Sequence, residues 1–189
     1  LPKIELPTNI NVAPGLELRL LRAEDAESLF ALTESNRARL RVWLPWLDYV
    51  RTPADSAQFI AGAAARHAAG EELTLGLFSD RSLSGIVGTH AIDWTNCATT
   101  LGYWVGREAE GRGLTTAACS ALLRVLFEGL ELNRVGIHCA TGNPRSQAVA
   151  KRLGFREEGI AREAERLYGL YVDHAVFSML RREWERLNL

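Results

Sequence analysis

Between Thr99 and Arg124 the chain changes its periodicity once, and two glycines mark the change. A strand over Thr99–Val105 runs into Glu108-Ala109-Glu110-Gly111-Arg112-Gly113-Leu114-Thr115. A long amphipathic helix follows, with Leu114, Ala118, Ala121, Leu122, Val125 and Leu126 on one face. Glycines one residue apart let the backbone turn tightly and let a bulky anion approach the main chain. The free N–H groups of the turn and of the first helical turn then converge, and the helix dipole adds to them. From Val105 to Thr116 the sequence therefore predicts a strand–turn–helix suited to a pyrophosphate.

Several readings of that run compete. Gly106 and Gly111 have P-loop spacing, but Arg112-Gly113 follows and no hydroxyl is placed for magnesium. A dinucleotide fingerprint would need a third glycine where Thr116 stands, and an early βαβ unit, whereas antiparallel strands come first here. A coenzyme A cradle and a glycine-rich helix start without any ligand stay open beside these.

The rest of the chain reads as one domain over residues 1–189. Residues 1–14, with Pro2, Pro7 and Pro14, predict an extended arm on the surface. Leu16, Leu18 and Leu20 alternate with polar residues as in a half-buried strand. Ala26, Leu29, Phe30 and Thr33 recur at helical spacing, and Asn36 is placed to cap a short second helix carrying Leu40 and Trp43. Thr52-Pro53-Ala54-Asp55 opens a helix that Gly70 stops. Strands are expected over 73–77, 83–93, 99–105 and 134–139, then a helix from Asn143 to Gly154, then a hairpin turning at Tyr168-Gly169. That order predicts a mixed α/β sheet with its longest helix entered directly from a central strand.

Composition narrows the function classes. With 47% apolar residues, 24% charged residues and a net charge of -1, the chain is globular and has no strongly basic nucleic-acid signature. Cys97, Cys119 and Cys139 are dispersed and form no Cys-x-x-Cys pair, so neither a disulfide framework nor a metal site is expected. No apolar run approaches the ~20 residues of a membrane helix, and the start is unlike a signal peptide. A soluble protein of a reducing cytoplasm is expected.

Asn143-Pro144-Arg145-Ser146 opens a helix straight from the preceding strand, with Asn143 as cap and Pro144 in the first turn. Capping explains Asn143 and leaves Ser146 over. At this point the sequence resembles the GNAT acetyltransferase superfamily, most of all the branch that acetylates the N-terminal amine of ribosomal proteins. The likeness runs through five blocks in order. These are Asn36-Arg37 to Trp46, Gly102-Tyr103-Trp104-Val105-Gly106 with Glu110 to Gly113, Leu132 to Val135, Thr141-x-Asn143-x-x-Ser146, and Arg152 to Gly159. One position departs: Glu108 stands where the superfamily usually has Gln or Arg, so its side chain is assigned no contact.

The resemblance implies a GNAT fold: a mixed, mostly antiparallel sheet of about seven strands flanked by helices, with splayed central strands and homodimers among its members. It implies acetyl-CoA as co-substrate, no metal, and direct attack by an amine on the thioester. Val105, Glu110, Gly111, Arg112, Gly113, Leu114, Thr115, Asn143 and Ser146 would bind the cofactor, with a main-chain N–H near Val105 stabilising the oxyanion. Ser146 is assigned as general acid and Glu165 as general base. His90 and His138 are rivals for the base, Asp93 is a weaker one, and Cys139 falls near the cofactor's thiol. Trp43 and Trp46 would wall the acceptor pocket. The acceptor implied is a protein N-terminus, with a small-molecule amine such as a polyamine, antibiotic or amino-sugar as the alternative. A non-catalytic acyl-CoA-binding domain is the third reading.

Overall fold

The structure is a computed structural model that describes residues 5–187. Eight strands form one sheet in the order β1 (Asn9–Ala13), β2 (Leu16–Leu20), β3 (Thr74–Ser79), β4 (Ser82–Thr89), β5 (Ala98–Val105), β6 (Arg134–Ala140), β8 (Leu170–Leu180) and β7 (Arg156–Leu167). Every neighbouring pair is antiparallel except β5 and β6. A parallel pair needs a long crossover, and the long helix supplies it. The eighth strand comes from the stretch read as an extended arm. Asn9–Ala13 pairs with β2 and tucks Ile10 inward, while residues 1–4 lie outside the described residues.

The central pair separates. β5 stays with β4 as far as Val105, opposite Gly85, but meets β6 only at Ala98–Thr100 against Arg134–Gly136. β6 meanwhile continues to Ala140 on β8. Gly106 N–H donates to Ser84 and His90 N–H donates to Thr100, so the even-numbered residues of β5 turn their main chain toward β4. By strand alternation, Tyr103 and Val105 direct theirs into the gap.

Helices cover the two faces unequally. α1 (Ala26–Leu40) and α2 (Pro53–Ala68) lie over β2–β4, where Leu21, Leu29, Ile60, Phe78 and Ile86 pack with Trp104. α2 starts as expected: Thr52 Oγ1 accepts from Asp55 N–H, and the Asp55 carboxylate accepts from Thr52 N–H at 2.8 Å. Its stop is also as expected, at Gly70 with φ +74°. On the opposite face lies α3 (Leu114–Arg124), prolonged by a wide π turn over Val125–Gly129. Ala118, Leu122 and Leu126 of its predicted apolar face are fully buried. α4 (Pro144–Arg152) and α5 (Arg181–Leu187) follow, and α5 stacks Trp184 on Phe127 at 5.8 Å between centroids. Among the described residues no helix is long and apolar enough to cross a membrane.

One expectation is overturned. Asn36 caps nothing; it lies inside the continuous helix α1, whose inward face is Ala26, Leu29, Thr33, Asn36 and Leu40. No glycine or proline breaks the helix there, and the buried amide finds partners elsewhere. Asn36 Nδ2 donates to Leu32 O at 2.9 Å, and Asn36 Oδ1 accepts from Arg107 N–H at 2.8 Å. Trp43 falls in the turn after α1, and Trp46 in a 3-10 turn over Pro45–Asp48.

Candidate active site

The gap between β5 and β6 opens into a cavity of about 800 Å³. Its floor is the loop between β5 and α3. Gly111 and Gly113 both have positive φ, +71° and +74°, and a Cβ at either would meet nothing within 4 Å. The left-handed backbone explains why glycine stands there. The open space beside it is where an anion can reach the main chain and the first turn of α3.

Val105, Glu110, Gly111, Gly113, Leu114 and Thr115 line this cavity, together with Asn143 and Ser146 from α4 and Trp43 beyond α1. Of the residues singled out from sequence, Arg112, Trp46 and Glu165 are not among its lining, nor are His90, His138, Asp93 and Cys139. Glu110 spends its side chain on two cations, Arg39 Nη1 at 2.5 Å and Arg145 Nη1 at 2.7 Å. It thereby joins α1 to the start of α4 above the loop. Arg39 also donates through Nη2 to Val105 O at 2.6 Å, while its Nε is buried without a hydrogen-bond partner among the described residues.

At the far end of the cavity, Asn143 Oδ1 accepts from Ser146 N–H at 3.1 Å, the cap expected from sequence. Ser146 Oγ lies 3.1 Å from the phenolic oxygen of Tyr103, which also donates to Ser146 O at 3.0 Å. Burial pushes the Tyr103 phenol well above its ordinary value against the lowering effect of the Ser146 bond, so it stays a neutral hydroxyl. Cys139 is buried at the end of β6; burial raises its thiol, and a bond with Ser146 opposes the rise. Tyr103 was not singled out by sequence reasoning. Its odd-numbered place on β5, on the same face as Leu101 and Val105, was the available signal.

The turn after α1 borders the cavity through Trp43 and Leu44, and the β7–β8 hairpin lies against that turn. Trp43 packs over Gly142, where a Cβ would come 3.4 Å from its ring. Trp46 packs instead against Trp104, 6.2 Å between centroids, and stays exposed. Tyr168 at the hairpin tip donates its hydroxyl to Arg41 O at 2.7 Å. Glu165 sits on β7 and is bonded to His174 Nε2 at 3.0 Å. His174, also missed from sequence, stands on β8 directly opposite Ala140 at the end of β6.

The rival bases differ in their surroundings. His90 is exposed and bonded through Nδ1 to Thr100 Oγ1 at 2.8 Å. His138 is held below the ordinary histidine value, first by lost hydration and then by the nearby His174, Arg134 and His90. Asp93 accepts from the side chain and main chain of Asn96, which hold its carboxyl low and make it a turn-capping group.

Comparison with known proteins gives this cavity its context. The family described as Acetyltransferase (GNAT) domain matches residues 15–156. A Bacillus subtilis (strain 168) relative carrying the provisional name ribosomal N-acetyltransferase YdaF is 39% identical over 174 residues, 90% of this chain and 93% of its own. A ribosomal-protein-serine acetyltransferase of Escherichia coli (strain K12) is 29% identical over 90% of this chain and 96% of its own. Among solved structures, the ribosomal L7/L12 α-N-protein acetyltransferase RimL in complex with coenzyme A superposes with a TM-score of 0.88 at 28% identity. That superposition covers 91% of this chain and 97% of RimL. The splayed strands, the glycine loop at the start of α3 and this match lead to one conclusion: the chain belongs to the GNAT acetyltransferase domain family.

Proposed function

We propose that this protein transfers the acetyl group of acetyl-CoA to the N-terminal α-amine of a ribosomal protein in the cytoplasm. One observation carries the reading: a single cavity connects the Gly111/Gly113 cradle to Ser146 and to Trp43 on the acceptor side. The names of the relatives support the acceptor class.

The residues fit the co-substrate. The open space beside Gly111 and Gly113 takes the pyrophosphate, and the main chain of Tyr103 and Val105, facing the gap, takes the amides of the pantetheine arm and the thioester carbonyl. Arg112 and Thr115, flanking Gly113 and Leu114, complete the phosphate side. Asn143 fixes the start of α4. Ser146 donates to the sulfur as the thiolate leaves, and Tyr103 orients it.

On the acceptor side, Trp43 and Trp46 bound the path of the amine. An α-amine has a pKa near ~8, so a modest base suffices at neutral pH. Glu165 is that base, reached through water because its carboxylate stands outside the cavity lining. Holding both reactants in one cleft supplies much of the remaining acceleration.

The test is incubation with labelled acetyl-CoA and either purified ribosomal proteins or a panel of polyamines, aminoglycosides and amino-sugars, with modified termini located by mass spectrometry. Label on a ribosomal-protein N-terminus is the expected result. Label confined to small amines would overturn the acceptor, and tight CoA binding without turnover on any amine would overturn the enzyme.

A further inference from the structure

The two faces of the sheet differ beyond Trp104. Along β6 the residues facing α3 are buried whereas His138, on the α1 side, is exposed, and nearly all of β7 is exposed on both faces. Strand alternation assigns residues to this open face. Thr100 lies directly opposite Gly136, so Gly102 on β5 and His138 on β6 share its side. His174 lies opposite Ala140, two residues beyond His138, and is on the same side again.

The groups on this face form a row across the strands. His90 lies over Gly102, its Cε1 3.2 Å from where a Cβ would stand. His138 lies near Gly136, with 3.5 Å from its Nε2 to the corresponding Cβ position. His174 follows on β8, and Glu165 on β7 closes the row at 3.0 Å. β5 and β6 part just beyond Thr100 and Gly136, so His90 and His138 flank the mouth of the gap on the side away from α3. Among the described residues these groups do not form a metal site.

The neighbours of the row are otherwise occupied. Arg134 and Glu158 are paired with each other, and Ser178 donates to Glu158 at 2.7 Å. Thr100 holds His90, and Asp173 accepts from Glu163 N–H at 2.8 Å. Among the described residues the Glu165–His174 bond is thus the one carboxylate–imidazole pair on this face, half-buried and level with the end of β6.

We propose that Glu165 and His174 act as a unit, with His174 as the positioning residue that holds the Glu165 carboxylate and carries its proton on to solvent. The proposal rests on the assignment of Glu165 as base. The acceptor's ammonium gives up one proton, through water beside His138, to the carboxylate, and the amine keeps the lone pair that attacks the thioester. The carboxylate takes that proton on its free oxygen while the His174 Nε2–H stays bonded to the other at 3.0 Å. The proton then passes through water to the lone pair of Nδ1, which releases it at the open edge of the sheet. On this view the histidines of the face and Glu165 are successive stations rather than rival bases.

The test uses the full chain, acetyl-CoA and a peptide with a free N-terminal serine or alanine, with ribosomal proteins in parallel. His174→Gln keeps a hydrogen-bond donor for Glu165 and removes the proton carrier. The expected result is a kcat about tenfold lower at pH 7, a deficit that disappears above pH ~9, where the α-amine is already neutral. KM for acetyl-CoA is expected to stay unchanged. Glu165→Gln is expected to cost about 10²-fold, and the double variant to be no slower than Glu165→Gln alone. A deficit of equal size at every pH, or additive losses in the double variant, would overturn the unit while leaving Glu165 as base. An unaltered Glu165→Gln would overturn the base assignment, and a wild-type enzyme inactive on both acceptors would overturn the proposed function and this inference with it.

Discussion

Tyr103 and Ser146 meet across the opened sheet, one from β5 and one from α4, with their oxygens 3.1 Å apart. Since the same phenol donates to Ser146 O, β5 and α4 are tied where the strands no longer pair. Tyr103→Phe keeps the ring and removes both bonds. Steady-state kinetics should show kcat about tenfold lower, the equivalent of ~1.4 kcal/mol, with KM for acetyl-CoA little changed. Ser146→Ala should cost a similar amount, and the two losses should not add, because each breaks the same bond.

Gly113 tests the anion cradle. Its φ of +74° makes any side chain costly by ~1–2 kcal/mol, and a larger one also fills the open space. Gly113→Leu should fold with a lowered Tm and give no heat on CoA titration. Gly129→Ala is the control, since Gly129 also has open space around it without a positive φ. CoA affinity should be unchanged there.

Asn36 links helix α1 to the cofactor loop through Arg107 N–H. Asn36→Leu leaves that donor unpaired and should lower stability by about 1–3 kcal/mol in thermal melts. If Asn36 only stabilised a helix end, CoA affinity would not change. A several-fold weaker CoA affinity is expected, because the residue fixes the first turn of the loop.

The bridge from Arg134 on β6 to Glu158 on β7 spans the intervening strand β8. The Arg134 guanidinium, and after it the Ser178 hydroxyl, hold the Glu158 carboxyl down to about 2. That value lies below the ~4.3 of an unfolded glutamate. The contribution is therefore complete above pH ~4.3 and is lost as pH falls through about 2. Both side chains are more than a third exposed (37% and 38%), so the effect should stay under ~1 kcal/mol. Melting curves of wild type and Glu158→Gln should run parallel at neutral pH and converge toward pH 2.

Local signals were the legible part of this protein. Thr52 with Asp55, Asn143 with Pro144, and the glycines at 70, 111, 113 and 154 each carry their backbone requirement within a few residues. The sequence therefore located helix ends and the glycine turn that starts α3. What it hid depends on distant partners. Asn36 has the residue type of a cap but is satisfied by Arg107, 71 positions away. Glu110 resembles a loop charge but is committed to Arg39 and Arg145. His174 sits in an unremarkable strand, and only the pairing of β8 between β6 and β7 brings it to Glu165. Strand order is not written in periodicity, so neither was that pair.

Helix α1 reaches both ends of the cavity: Asn36 and Arg39 hold the loop before α3, while the turn that follows carries Trp43, which lines the cavity, and Trp46. This divides the helix by how freely it can drift. Substitutions on its inner face would disturb the shared acetyl donor whatever the acceptor, so that face is closed to experiments in specificity. Among the described residues the turn from Arg41 to Asp48 makes no hydrogen bond or ion pair to the loop. A lineage of such enzymes could then exchange one recipient for another by rewriting those few positions, with the donor machinery left as it is.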